Sequence, residues 1–209
     1  LDRVEAAVTV RGFDIGGGRE VLSEAVEVRL SGRAALHPAS IVLPLLISDL
    51  PAFCRWRGEP TWESSTLTEI ASVCDRLVVD SSEWRDPRRA YPHLEPLFER
   101  VVVSDLAWRR TAPWRGRLAE RWPGIRRIER LRVDGPKADA LLLAGWLRSR
   151  LRCEVALTRR AAETITGVRV DGDPVADPFA RALSGSDLLS AELDSLLRDP
   201  VYEAATGAV

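Results

Sequence analysis

The sequence predicts an α/β fold in two lobes of mixed sheet covered by helices, about 1–103 and about 104–209. Three observations predict it. Short alternating or β-branched runs recur between stretches with helical spacing, the order expected when strands alternate with the helices that cover them. At 209 residues and 45% apolar composition, the chain can fill a substantial core. The stretch ADALLLAGWLRSRL at 138–151 is apolar around nearly its whole circumference, so it must be covered on most sides.

Alternation in Val4–Val10 and in Ala25–Leu30 gives two strands, and the glycines at 16–18 reverse the chain between them. Those glycines read as a turn and not as a phosphate cradle, because no GK[ST] follows and no helix starts at their end. HPASIVLPLLISDLP at 37–51 reads as a short apolar helix, capped by His37 or Ser40 and started, kinked or ended by Pro44. It is too apolar to be exposed. Ala52–Trp56 is the next strand, and Ser64–Cys74 is a helix with Leu67, Ile70, Ala71 and Cys74 on one face. Arg76–Asp80 is a short buried strand, and Ala90–Val103 is a helix through Leu94, Leu97, Phe98 and Val101.

Residues 104–127, SDLAWRRTAPWRGRLAERWPGIRR, hold Trp108, Trp114 and Trp122 among seven arginines. Thr111 caps a helix over 112–122 that Pro123-Gly124 stops. Trp114, Leu118 and Trp122 fall four apart and form its core stripe, leaving Trp108 freer. Ile128–Val133, Cys153–Thr158 and Thr164–Val170 are strands, and SDLLSAELDSLL is a final amphipathic helix.

With 30 basic against 31 acidic residues, net charge −1, the field that gathers polyanions is missing, so a general nucleic-acid binder is not expected. Lys137 is the only lysine, so the arginine richness reads as compositional bias from a GC-rich genome. No apolar run approaches the roughly 18 residues that span a bilayer, and the start lacks a signal-peptide layout. The expectation is a cytoplasmic protein that does not bind membranes. Cys54, Cys74 and Cys153 read as isolated, buried, reduced thiols. Because there is no Met, even at position 1, the sequence reads as a piece of something longer.

No nucleophile elbow, metal-ligand spacing or phosphate loop is present, so no catalytic residue, metal or cofactor is expected. His37 and His93 read as capping or surface residues. Asp49, Asp80 and Asp105 lie near strand ends or helix starts, where an α/β sheet places ligand sites and where helix capping explains them equally well.

Four ordered blocks carry a resemblance: SEAVEVRLSGRAALHPASIVLPLLISDLPAFCRWRGEP at 23–60, RLVVDSSEWRDP at 76–87, SDLAWRRTAPWR at 104–115 and LLSAELDSLLRDPVYEAA at 188–205. Together they resemble the glucose-6-phosphate dehydrogenase assembly protein family, OpcA, in order over nearly the whole chain. The resemblance implies a non-catalytic cytoplasmic protein that binds glucose-6-phosphate dehydrogenase and promotes its active oligomer in the oxidative pentose phosphate pathway. It also implies a longer N-terminal region. The sequence departs from the family at CRWRG, where Arg55 and Arg57 flank Trp56 in place of the usual aromatic pair.

Two blocks put tryptophan beside arginine at predicted strand ends, the pairing most enriched in interface hot spots. Trp56, Arg57, Trp108, Arg109 and Arg110 are therefore the expected partner-binding residues. A small-molecule sensing domain for a sugar phosphate or nucleotide is the alternative.

Overall fold

Gly16, Gly17 and Gly18 take φ of 82°, 66° and 70°, which glycine adopts at no steric cost. They reverse the chain between β1 (Arg3–Asp14) and β2 (Glu20–Ser31). The computed structural model describes residues 3–178 and 183–209. β1 and β2 pair antiparallel from Arg3↔Ser31 to Asp14↔Glu20 and form a two-stranded sheet of their own. The period of two gathers Val4, Val8, Val10, Leu22 and Val26 on one face, and that face is largely uncovered, with Val8 64% exposed.

The apolar run at 37–51 corrects the expectation of burial. It divides into α1 (Pro38–Val42) and a 3₁₀ turn at Leu43–Leu45, and Leu43, Leu45, Ile47 and Leu50 are each more than half exposed. Pro38 opens the first turn and Pro44 denies the second an amide, so no helical face grows long enough to reach the core.

A three-stranded parallel sheet follows, in the order β3 (Phe53–Arg55), β4 (Arg76–Val79), β5 (Val102–Asp105). Between β3 and β4 lies α2 (Thr66–Ala71). Between β4 and β5 the expected helix over 90–103 is replaced by α3 (Pro87–Ala90), a 3₁₀ turn at Tyr91–Leu94 and α4 (Glu95–Phe98). Pro92 and Pro96 break the helix into turns, and the β-branched Val102 and Val103 enter the sheet.

Then come α5 (Leu106–Arg110), α6 (Ala112–Ala119), β6 (Arg130–Gly135), α7 (Lys137–Leu151), β7 (Ala156–Ala161), β8 (Gly167–Val170) and β9 (Asp173–Pro174). The third sheet runs β7-β6-β8-β9, parallel between β6 and β7 and antiparallel elsewhere. Helices cover the parallel sheet and the mixed four-stranded sheet, the α/β layering that the sequence predicts, whereas the β1–β2 ribbon stands apart from it. α8 (Gly185–Leu193) opens with a capping box between Ser184 and Asp187, and α9 (Pro200–Thr206) ends the chain's helices, capped by Asp199.

Two large clusters form most of the core, and Val78, Leu106 and Leu188 make a small third one. One joins Leu77, Val79 and Val103 to Tyr91, Leu94, Trp108, Leu142 and Tyr202. The other sets Trp114 and Leu118 with Leu143 and Leu147 on Leu131, Val133 and Val168. α7 supplies Leu141 and Leu142 to the first and Leu143 and Leu147 to the second, which is why its sequence is apolar all round. Trp114 is core as expected. Trp122 is not: α6 ends at Ala119, before the third position of the stripe, and Trp122 is 64% exposed. Trp108, expected to be the freer one, is buried instead. Among the described residues, no helix is long and apolar enough to cross a membrane.

Candidate functional site

Parallel strands bring their carboxyl ends to one edge, and three segments meet there: the loop after β3 with Trp56 and Arg57, the turn after β4 with Asp80 and Ser81, and α5 after β5. This is the edge at which open α/β sheets place their sites. Trp56 donates its amide to the Val78 carbonyl at 2.9 Å, extending the pairing of β3 by one residue. Glu83 accepts from the Arg55 guanidinium at 2.9 Å and from the Gly58 amide, and Glu59 accepts from the Arg85 amide at 2.8 Å. These bonds stitch the first two segments together.

The third segment is joined by carboxylates. Asp105 Oδ1 accepts from the Ala107 amide at 2.8 Å, capping α5, and from the Ser81 amide at 3.0 Å, tying the end of β4 to that of β5. Its Oδ2 faces the Tyr202 hydroxyl at 3.4 Å. Burial pushes the Asp105 carboxyl up to about 7, against the hydrogen bonds from Ser81 and Ala107. Asp80 caps the next turn through Ser82 and also pairs with Arg110. Arg110 spans Asp80, at 2.9 and 3.1 Å, and Asp139, at 3.2 and 3.3 Å. Burial works to raise the Asp80 carboxyl, but Arg110 outweighs it and holds the group below the usual range; for Asp139, more deeply buried in the first turn of α7, burial wins and the carboxyl is raised. The Arg110 guanidinium, despite its own burial, is held in its charged form by both acids.

Chemically this network is a brace. Asp105 is fully buried, so its raised proton affinity faces Ser81 and Tyr202 and not solvent. Asp80 and Asp105 were legible as strand-end acids. Asp139 was missed, although a lone acid in the apolar run ADALLLAGW was a signal that it needed a cation.

The five expected contact residues lie on the segments that follow β3 and β5, the two outer strands of the parallel sheet, in different roles. Arg57 and Arg109 are exposed and Trp56 is half-buried. Trp108 is buried, with its indole donating to Asp199 at 2.7 Å, and Arg110 is committed to its two acids. These last two hold the edge in shape.

The cysteines bring a further correction. Cys54 on β3 and Cys74 just before β4 are neighbours, and the hydrogen bond between their thiols lowers the pKa of Cys54 and raises that of Cys74. Twenty residues of sequence hide a contact made by strand pairing. All three cysteines are half-buried and free.

Comparison with known proteins places this architecture. Residues 1–96 match the family model described as the glucose-6-phosphate dehydrogenase subunit N-terminal domain, and residues 101–177 match the corresponding C-terminal domain. The chain belongs to the OpcA glucose-6-phosphate dehydrogenase assembly family. Similar OpcA relatives, each named "Putative OxPP cycle protein OpcA", occur in Nostoc punctiforme (38% identity, 59% of this chain, 29% of the relative) and Synechococcus elongatus (29% identity, 84% and 44%). A third, in Synechocystis, is 28% identical over 63% of this chain and 30% of its own length. The chain thus spans less than half the length of each OpcA relative.

Proposed function

We propose that this chain is a non-catalytic assembly factor that binds glucose-6-phosphate dehydrogenase and promotes its active oligomer, feeding the oxidative pentose phosphate pathway. The observation that carries this reading is the pair of family matches, each described as a domain of a glucose-6-phosphate dehydrogenase subunit. The surface supports it. A two-stranded ribbon is marginal in water on its own, yet β1 and β2 present Val4, Val8, Val10, Leu22 and Val26 uncovered, and Leu43, Leu45, Ile47 and Leu50 add to the exposed apolar area. Apolar surface on this scale marks protein contact sites.

The proposed charged part of the contact is Arg57, next to Trp56 after β3, and Arg109 on α5 after β5, which Trp108 and Arg110 brace. Titrating the purified dehydrogenase with Arg57→Ala and Arg109→Ala tests this. Both should melt like the parent, within roughly 0.5 kcal/mol, and bind at least about 1 kcal/mol more weakly. Unchanged affinity in both would remove these arginines from the contact.

A further inference from the structure

β5 lies at an edge of the parallel sheet, and where α8, the segment at 194–199 and the start of α9 pass over it a cavity of about 270 Å³ remains. It is open to solvent on one side, and its lining sets Arg76, Arg109, Arg115 and Arg198 against the carboxylates of Glu192 and Asp199. Glu192 is taken by Arg76 at 3.0 Å, with Arg109 at 3.7 Å, and Asp199 is spent on the Trp108 indole and on the amides of Val201 and Tyr202. Arg198 is in turn held by Glu203 at 2.9 Å, which leaves one guanidinium charge, that of Arg115, in excess.

Arg115 is the sharpest case. Its guanidinium lies 3.4 Å from the centre of the Trp108 ring and donates to Thr111 Oγ1 at 3.1 Å and to the Trp108 carbonyl at 3.5 Å. Among the described residues no carboxylate stands within ion-pair distance of it; Asp199 acts on it only at longer range. Burial, helped by the like charge of Arg109, draws its pKa down to about 10 against the distant pull of Asp199, the mark of a cation short of a counter-charge. Two further donors are idle. Arg76, 4% exposed, has its Nε without a partner, and Ser104, 8% exposed, has its Oγ without one. Buried polar groups are rarely left unpaired, and an absent ligand is one of the ordinary reasons.

We propose that this cavity binds a small phosphate monoester. Such a group brings negative charge and three strong acceptor oxygens, answering the unmatched charge of Arg115 and the unused donors of Arg76 and Ser104. Planar guanidinium groups suit phosphate geometry, and Trp108 and Leu197 give the organic part an apolar wall. The volume is at the small end for ligand sites, so it admits a compact monoester and excludes a dinucleotide. The site is independent of whether the chain binds the dehydrogenase.

Isothermal titration of the chain with glycerol 3-phosphate and with inorganic phosphate, at ionic strength held constant with sodium chloride, tests the proposal, and acetate serves as the non-phosphate anion. The expected result is saturable one-site binding of the monoester, tighter than of inorganic phosphate, and none of acetate. Arg115→Gln should weaken it at least tenfold. Ser104→Ala should weaken it at least threefold while leaving the unliganded melting temperature unchanged, and it decides the question alone if Arg115→Gln does not fold. No saturable binding of either phosphate, equal binding of acetate, or wild-type affinity in Ser104→Ala would overturn the site.

Discussion

Asp105 shows how much one buried carboxyl can set. Its pKa in the fold is about 7 against the usual 3.8, because burial penalises the charge. Between roughly pH 4 and 7 the folded chain therefore holds a proton that the unfolded chain has released, so stability falls as pH rises through that window and levels off above it. Asp105→Asn keeps an oxygen for the Ser81 and Ala107 amides and removes the charge. In urea denaturation it should exceed the parent by roughly 1 to 4 kcal/mol at pH 8 and match it near pH 4; an equal difference at both would refute the burial account. Arg110→Ala acts the opposite way, leaving Asp80 and Asp139 buried without their cation, and should cost about 3 to 5 kcal/mol by the same measurement. A loss of less than about 1 kcal/mol would show that the brace is not structural. The two strand-end acids could be read from the sequence because capping positions are local, whereas the Arg110–Asp139 pair joins residues 29 apart and only the fold makes them neighbours.

Among the elements, those read correctly were fixed by local signals: the glycine turn of the β1–β2 hairpin, the buried β4, and the all-round apolar α7. β5 was hidden because Leu94, Leu97, Phe98 and Val101 keep helical spacing up to its start, and only Pro92 and Pro96 warned otherwise. α9 was missed despite Asp199-Pro200, an N-cap followed by proline at the first helical position. That helix matters, because it packs on α7 so closely that a Cβ at Gly145 would collide with the Ala205 carbonyl oxygen. The obstacle is backbone and cannot rotate away. Gly145→Ala should therefore destabilise the chain by about 1 to 3 kcal/mol in chemical denaturation, despite alanine's better helix propensity. A stabilised variant would mean that α9 is not seated on α7.

For the molecule as a whole, the division into lobes at 1–103 and 104–209 is retained as a proposal about chain organisation, with α7 packing in both core clusters. The widest departure from the sequence reading is the apolar surface left open at 3–50. Alternation and hydropathy say which residues are apolar and which share a face, but they do not say what covers that face; if the cover is another protein, the information lies in the partner. The central claim is that this partner is glucose-6-phosphate dehydrogenase and that contact drives its assembly. Sedimentation of the purified dehydrogenase with and without the chain, with specific activity read on the same samples, tests it most directly. The account predicts a shift of the dehydrogenase to a larger species that contains the chain, with a rise in activity. It also predicts that Val8→Asp, which puts a charge on the open face of β1 without touching the core, abolishes both while melting like the parent. A dehydrogenase whose sedimentation and activity are the same with and without the chain would contradict it.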